Sequence, residues 1–471
     1  MDVELRVTWL SWAEYGEDIQ EIRRRVFVTE QGFGPDMVHD PRDRDGLHLG
    51  VLSGGRLIAV VSAYLYPDDA PELSAMGLAR VGGVTVQGAK RVELPGFRGR
   101  GITAWLVSAM SRQFHEVLRP ARIILLLRGR HRVLERVYRG FSFRRHGEVE
   151  LLGERMLVMK VEGAEDLRAF HLEHRRIDKG AAEQGLTAPS LVRFLADHGR
   201  LDLVATEALV AENIYTQPLS LAEEIPRLAE QGRLVLAEQL PRIAAAPFPA
   251  APASLLDVGS GAGGYLASLR GLPRFAGYAV RGIEPSAELL CQARASHPAL
   301  DLGQAGAYAT GEESSSHDVI TVNFVFIHLR NPDAALLEMY RVLRPGGILY
   351  VVDVNDETFR GPVEVLRLIR THDSCYEGDR TIMSDLPGRA EQLGFEQLCR
   401  FATTVRNTGG PEPEFHPDEI RIGWQQGWGL LSFLGARKEI ADEFVDVRNR
   451  FFRPDCELSV EIQTQVYRKP A

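Results

Sequence analysis

Leu255-Leu256-Asp257-Val258-Gly259-Ser260-Gly261-Ala262-Gly263-Gly264-Tyr265 decides how the second half of this 471-residue chain folds. A short apolar run gives way to glycines in alternation, Gly259, Gly261 and Gly263, and a helical pattern begins near Tyr265. Glycine admits a tight turn and a close backbone approach, and free N–H groups at a helix start suit a polar or negatively charged ligand. A glycine triplet alone fits several nucleotides. Its surroundings narrow the choice. Val280-Arg281-Gly282-Ile283-Glu284 reads as the next strand and ends in an acid about 20 residues past the loop, where a carboxylate accepts hydrogen bonds from ribose hydroxyls. A third crossing is weak in sequence, whereas Asp318-Val319-Ile320-Thr321-Val322-Asn323 and the run from Gly346 to Asp353 are clear fourth and fifth strands.

Composition bounds the rest. A chain this long exceeds what one hydrophobic core organises, so two or three domains are expected. No stretch approaches a membrane span, and the N-terminus, with Asp2, Glu4, Trp9 and Trp12, lacks the basic and apolar regions of a signal peptide, which predicts a soluble cytoplasmic protein. Cys291, Cys375, Cys399 and Cys456 are scattered, fitting neither a disulfide framework nor a zinc site, so no metal is expected. A net charge of −9 argues against nucleic acid as substrate. Lysine is scarce beside arginine, a bias from which no function is read.

The second half resembles the class I S-adenosylmethionine-dependent methyltransferases, through the glycine loop, the distant acid and the phrase Glu338-Met339-Tyr340-Arg341-Val342-Leu343-Arg344-Pro345-Gly346-Gly347. The resemblance implies a Rossmann-like domain over residues 206–471 that takes S-adenosylmethionine. Asp257 and the stretch from Gly259 through Gly261 to Gly263 would contact the methionine end and the adenosine, Glu284 would hold the ribose, and Asn323 would line the site beneath the sulfonium. His328 is the candidate base, although relatives often carry a histidine here as a packing residue. Asp353, Asn355, Asp356, Glu357, His372, Tyr376 and Arg380 supply further polar groups, and Trp424 and Trp428 either close the pocket or pack in the core. Tyr215 and the helical spacing over residues 224–236 resemble the N-terminal cap of such enzymes. A dehydrogenase uses a similar loop, but the alternating run from Val460 to Tyr467 predicts an antiparallel last strand, where nicotinamide folds continue parallel.

Residues 1–162 give a different order. A helix around residues 21–28, a hairpin turning at Ser53-Gly54-Gly55, a strand over residues 89–94, then Pro95-Gly96-Phe97-Arg98-Gly99-Arg100-Gly101-Ile102-Thr103 and a helical run to Phe114 make an α+β pattern. This stretch resembles the GNAT acyltransferase superfamily. Leu94, Arg98, Gly99, Arg100, Gly101, Ile102 and Thr103 would wrap the pyrophosphate of a coenzyme A thioester, with Thr103 standing where a smaller residue is usual. Tyr138, in Tyr138-Arg139-Gly140-Phe141-Ser142-Phe143, would protonate the departing thiolate, or else packs on a helix flank. Residues 25–31 together with Asp43, Asp45 and His48 look like a subgroup that includes acyl-homoserine-lactone synthase relatives and acyl-amino-acid synthases, so an acyl carrier protein thioester is an alternative donor. Glu30 is read as a turn residue or a water-mediated base. The arginines between Arg128 and Arg145 would meet phosphates or an acidic carrier, or form a solvated face.

The fold expected is therefore α/β: a GNAT-like α+β domain, a helical linker over residues 163–205, and a Rossmann-like methyltransferase domain with an antiparallel last strand. The function expected is a bifunctional tailoring enzyme that methylates and acylates a small amine-containing metabolite. The alternative is a methyltransferase whose first domain only binds a carrier protein or partner.

Overall fold

The computed structural model describes residues 5–128, 132–151, 153–182, 186–211, 239–407 and 458–471. Tyr215, the expected cap at residues 224–236, Trp424, Trp428, Arg130 and Cys456 lie outside them. The chain divides into two units, Met1–Ala205 and Thr206–Ala471.

In the first unit, β1 (Leu5–Leu10) leads to α1 (Trp12–Arg23), which continues into a π-helical turn, Arg24–Glu30. After short turns at Pro35–Met37 and Pro41–Arg44 come β2 (Leu47–Ser53) and β3 (Arg56–Tyr66). Gly54 and Gly55 take φ of 57° and 81° between these strands, the left-handed pair that a tight hairpin needs. Then follow α2 (Pro71–Ala75), β4 (Thr85–Glu93), α3 (Ile102–Val117), β5 (Arg122–Arg128), α4 (Arg132–Gly140), β6 (Arg144–Leu151), β7 (Glu154–Glu162), α5 (Ala164–Ala182) and α6 (Leu191–Asp197). The sheet order is β1-β2-β3-β4-β5-β7-β6. Only β4 and β5 are parallel, and they pair only from Thr85↔Arg122 to Gly88↔Leu125. Beyond that point the sheet splits, β4 remaining with β3 while β5 runs on beside β7.

The expected linker over residues 163–205 is not a separate bridge. Asp178 of α5 accepts from Trp105 Nε1 at 2.9 Å and Arg112 Nε at 2.5 Å on α3, and the Pro189 carbonyl accepts from Trp9 Nε1 and Gln113 Nε2. Leu167, Phe170, Leu191, Val192 and Leu195 are buried. Those apolar faces close the first unit's core, which sequence spacing alone does not disclose.

The second unit begins with α7 (Thr206–Ala211) and then alternates: β8 (Ala253–Val258), α8 (Gly264–Arg270), β9 (Tyr278–Ile283), α9 (Ala287–Ser296), β10 (Asp301–Gly303), β11 (His317–Asn323), α10 (Pro332–Val342) and β12 (Leu343–Arg360). It ends with α11 (Val363–Cys375), α12 (Ile382–Gln392), β13 (Glu396–Asn407) and β14 (Leu458–Arg468). Strand order is β10-β9-β8-β11-β12-β14-β13. The first five are parallel, and β14 enters antiparallel between β12 and β13. Local chemistry sets the boundaries. Asn331 caps α10 by accepting from Ala334 N–H at 3.0 Å, with Pro332 in the first turn. The faintness of the third crossing has a plain cause, since β10 is three residues long.

Candidate cofactor sites

In the second unit the glycine loop sits at the carboxyl end of β8, beside the point where strand order reverses between β8 and β11. Gly259, Gly261 and Gly263 have φ of 76°, 54° and 83°. A Cβ on Gly259 would collide with Val325 and one on Gly263 would meet His297 at 3.1 Å, whereas one on Gly261 meets nothing within 4 Å. The outer two glycines thus pack against the protein, and the middle one faces open space. Glu284, 5% exposed, accepts the Gly261 N–H at 2.9 Å and the Ser286 N–H at 2.8 Å. Burial pushes its carboxyl pKa up, and those two N–H groups pull against the shift. Asp257 is buried and accepts from Thr321 Oγ1 at 2.7 Å; burial raises it to about 7. At the end of β11 the buried Oδ1 of Asn323 has no hydrogen-bond partner among the described residues. A buried acceptor left open in this way awaits a donor.

The far wall comes from the ends of β11 and β12. His328 Nδ1 lies 2.5 Å from the Tyr376 hydroxyl. The segment after α11 is pressed onto it, because a Cβ on Gly378 would clash with Ile327 O and lie 3.0 Å from His328 Cα. Asp353, fully buried, accepts the N–H groups of Ile327 at 3.2 Å and Val354 at 3.0 Å, and burial lifts it to about 7. Arg380 pairs with Asp356 at 2.6 Å and lies 3.7 Å from Asp373. Asn355 is buried and donates to Ser384, whose hydroxyl in turn meets Glu357 at 2.5 Å. The side chain of His372 is outside what the structure describes.

In the first unit Gly99 and Gly101 take φ of 82° and 75°, with open space where a Cβ would stand. Gly101 is the N-cap of α3 and no side chain caps the first turn, which leaves its N–H groups for a ligand. Arg98 is engaged elsewhere. Its guanidinium holds both Glu30 oxygens and donates twice to the Glu93 carbonyl, at 3.1 and 3.0 Å. Glu30 is in turn held ionised by that hydrogen bond, which makes it a poor base and places it with the turn reading. Thr103 donates to Glu93 Oε2 at 3.0 Å, so the larger side chain folds down onto β4. Leu94 is buried behind the loop, as is Ile102, and Arg100 lies over the Phe97 ring. Tyr138 is half-buried on α4, edge-on to Phe143 at 5.6 Å. Of the basic stretch, Arg128, Arg139, Arg144 and Arg145 pair with Glu154, Glu135, Asp166 and Glu148.

The match to a family model falls on the second unit. Residues 256–351 match the family model described as a methyltransferase domain. A class I S-adenosylmethionine-dependent methyltransferase domain therefore lies within the second unit, which contains those residues. A demethylmenaquinone methyltransferase of Chlorobaculum parvum is 29% identical over 170 residues, covering 35% of this chain and 68% of its own. The ubiquinone/menaquinone biosynthesis C-methyltransferase UbiE of Campylobacter jejuni is 34% identical over 136 residues, covering 28% of this chain and 57% of its own. Among solved structures, the YcgJ protein of Bacillus subtilis aligns with a TM-score of 0.33 at 17% identity, over 49% of this chain and 97% of its own. The methyltransferase match, residues 256–351, begins at Leu256 on β8 and ends at Val351 on β12.

The methyltransferase residues fit S-adenosylmethionine on three observations: the space over Gly261, the buried acid that orders the loop, and the unsatisfied oxygen of Asn323. Sequence reading missed Asp353, as a site organiser, and the Tyr376 contact to His328; both need the β11 and β12 ends side by side. Among the described residues no group of three potential metal ligands forms, and no helix is long and apolar enough to cross a membrane.

Proposed function

We propose that the second unit methylates a small amine-containing metabolite and that the first unit acylates an amine from a coenzyme A or carrier-protein thioester, making the chain a bifunctional cytoplasmic tailoring enzyme. The observation that carries the methyl-transfer half is the loop itself, with Gly261 open to ligand and its N–H group fixed by Glu284. Bound S-adenosylmethionine supplies an electrophilic methyl group. The chain's own work is then positioning and exclusion of water. Glu284 and the glycine loop would hold the nucleoside and Asn323 would accept from the cofactor. Asp353 fixes the turn that carries His328, and Tyr376 sets that imidazole's orientation. Tethering two activities on one chain raises the effective concentration of a shared intermediate.

Acyl transfer rests on the split between β4 and β5, on the uncapped start of α3, and on Gly99 and Gly101 with space above them. Tyr138 is the proton donor for the departing thiolate in this reading. Arg98, already held by Glu30, favours the second reading, in which the first unit binds a partner without catalysis. For the methyl acceptor, the relatives' names favour a quinol carbon as the alternative. Incubation with methyl-labelled S-adenosylmethionine, acetyl-coenzyme A, a set of primary amines and menadiol separates these. Labelled and acylated amine is expected. Label on menadiol alone, without thiol release, refutes the bifunctional reading.

A further inference from the structure

Among five lysines in a chain with 55 basic residues, Lys90 stands in the middle of β4. Its backbone is left-handed, with φ of 43°, and it belongs to a bulge: Ser62↔Ala89 and Val60↔Val92 leave Lys90 and Arg91 opposite a single residue of β3. A non-glycine residue held in that region is strained, and such strain gathers at functional sites. The bulge lies two residues beyond Gly88, where β4 and β5 part.

The Lys90 side chain is 10% exposed, and its Nζ is buried without a hydrogen-bond partner. Its neighbours bond mainly to one another, although the Nε of Arg23 is, like Lys90 Nζ, buried without a hydrogen-bond partner among the described residues. Arg23 of α1 donates to Asp43 and to Ser62, both at 2.8 Å. Tyr64 of β3 donates to Asp43 at 2.7 Å, and His48 of β2 bridges Ser62 and the Asp43 carbonyl. Asp40 clasps Arg42 through two bonds of 2.8 Å and lies 3.8 Å from Lys90 Nζ. Two arginines thus balance two aspartates. Burial keeps His48 neutral, at about 4, and keeps Tyr64 protonated. Among these two arginines and two aspartates the charges cancel, with Glu72 of α2 also acting on Arg42, and among the described residues Lys90 is left with only Asp40, 3.8 Å away, as an ion-pair partner. Burial first, then Arg23, bring that amine to about 8, with Asp43 and Asp40 opposing. Arginine, which this chain otherwise prefers, does not deprotonate in proteins, whereas a buried lysine does.

We propose that Lys90 is the proton acceptor for a primary-amine substrate in the first unit. The inference rests on the acyl-transfer reading above. The substrate ammonium gives one proton to the Lys90 amine, and the freed lone pair forms the C–N bond at the thioester carbonyl. The C–S bond then breaks, the thiolate takes its proton from Tyr138, and the second nitrogen proton replaces the one that Tyr138 gave up. Amide, thiol and protonated Lys90 result, and Lys90 returns its proton to solvent.

The test uses the full chain with acetyl-coenzyme A and benzylamine, glycine and putrescine, following thiol release against pH. Lysine labelled with 13C at Cε gives only five side-chain signals, and Lys90 is the one missing in Lys90→Met. The expected results are a Lys90 titration near 8 and a matching rise in rate, with rate falling about 10²–10⁴-fold in both Lys90→Met and Lys90→Arg. Coenzyme A binding, followed by calorimetry, stays unchanged in both variants. A Lys90 signal titrating near the ordinary 10.5, or a Lys90→Arg chain with undiminished rate, overturns the assignment. A wild type that neither binds coenzyme A nor releases thiol refutes the acyl-transfer reading itself, and the assignment falls with it.

Discussion

Replacing Asp257 by asparagine should stabilise the second unit at pH 8 and weaken its hold on S-adenosylmethionine. Burial raises this carboxyl from 3.8 to about 7. An acid raised by folding contributes stability that is fully present below its unfolded value and is lost as pH rises through its folded one. At about 1.4 kcal/mol per pKa unit, ionising Asp257 costs the fold roughly 4 kcal/mol by pH 8. Asparagine removes that cost and keeps an oxygen for the Thr321 hydroxyl, 2.7 Å away. Its amide N–H groups find no acceptor in the carboxylate's place, which costs about 1–3 kcal/mol. The balance at pH 8 is a gain of about 1–3 kcal/mol, and near pH 5, where the folded carboxyl is protonated, the gain shrinks to about zero. For a unit of this size each kcal/mol moves Tm by roughly 2–4 °C. Thermal melts of wild type and Asp257→Asn from pH 5 to 8 read this directly. Curves separated by the same amount at every pH, or a less stable variant at pH 8, would refute the reasoning. Calorimetry on the same samples should show the stabilised variant binding the cofactor more weakly, since the carboxylate is retained at a cost to the fold.

Glu284→Ala removes the acceptor for two N–H groups and, in the proposed reading, the ribose contact; S-adenosylmethionine affinity should fall by about 1–3 kcal/mol, measured by calorimetry. Asp178→Ala strips Trp105 and Arg112 of a buried partner, and the first unit should lose about 3–5 kcal/mol in denaturant titrations, with tryptophan fluorescence reporting the release of α5 from α3. Gly101→Glu places a carboxylate at the start of α3 in a left-handed position and should abolish coenzyme A binding while leaving S-adenosylmethionine binding intact.

What could be read from sequence was local. The glycine loop and Glu284 announce themselves because a buried strand, small residues and an acid at a fixed distance belong to one βαβ unit. The β2–β3 hairpin does so through Gly54 and Gly55. What escaped reading depends on residues far apart in the chain. The helices α5 and α6 looked like a bridge because their apolar faces reveal nothing of the α3 surface they cover. The scarcity of lysine was visible, but that Lys90 is buried among Arg23, Asp40 and Asp43 follows from β4, α1 and a turn converging. Arg98 shows the converse. Its motif suggests a cofactor contact, and the structure shows what sequence does not, that its guanidinium is held by Glu30 and the Glu93 carbonyl.

The central claim is that the loop from Gly259 to Gly263 holds a methyl donor, and titration calorimetry of the full chain with S-adenosylmethionine tests it most directly when run beside Gly261→Arg. The space over Gly261 is open in the structure, so an arginine there should fill the ligand's place, with the left-handed backbone at φ 54° costing the fold about 1–2 kcal/mol. Saturable one-site binding in the wild type, absent from a variant that still melts cooperatively a few degrees lower, is the predicted result. Binding of equal strength in both chains, or none in the wild type, would contradict it.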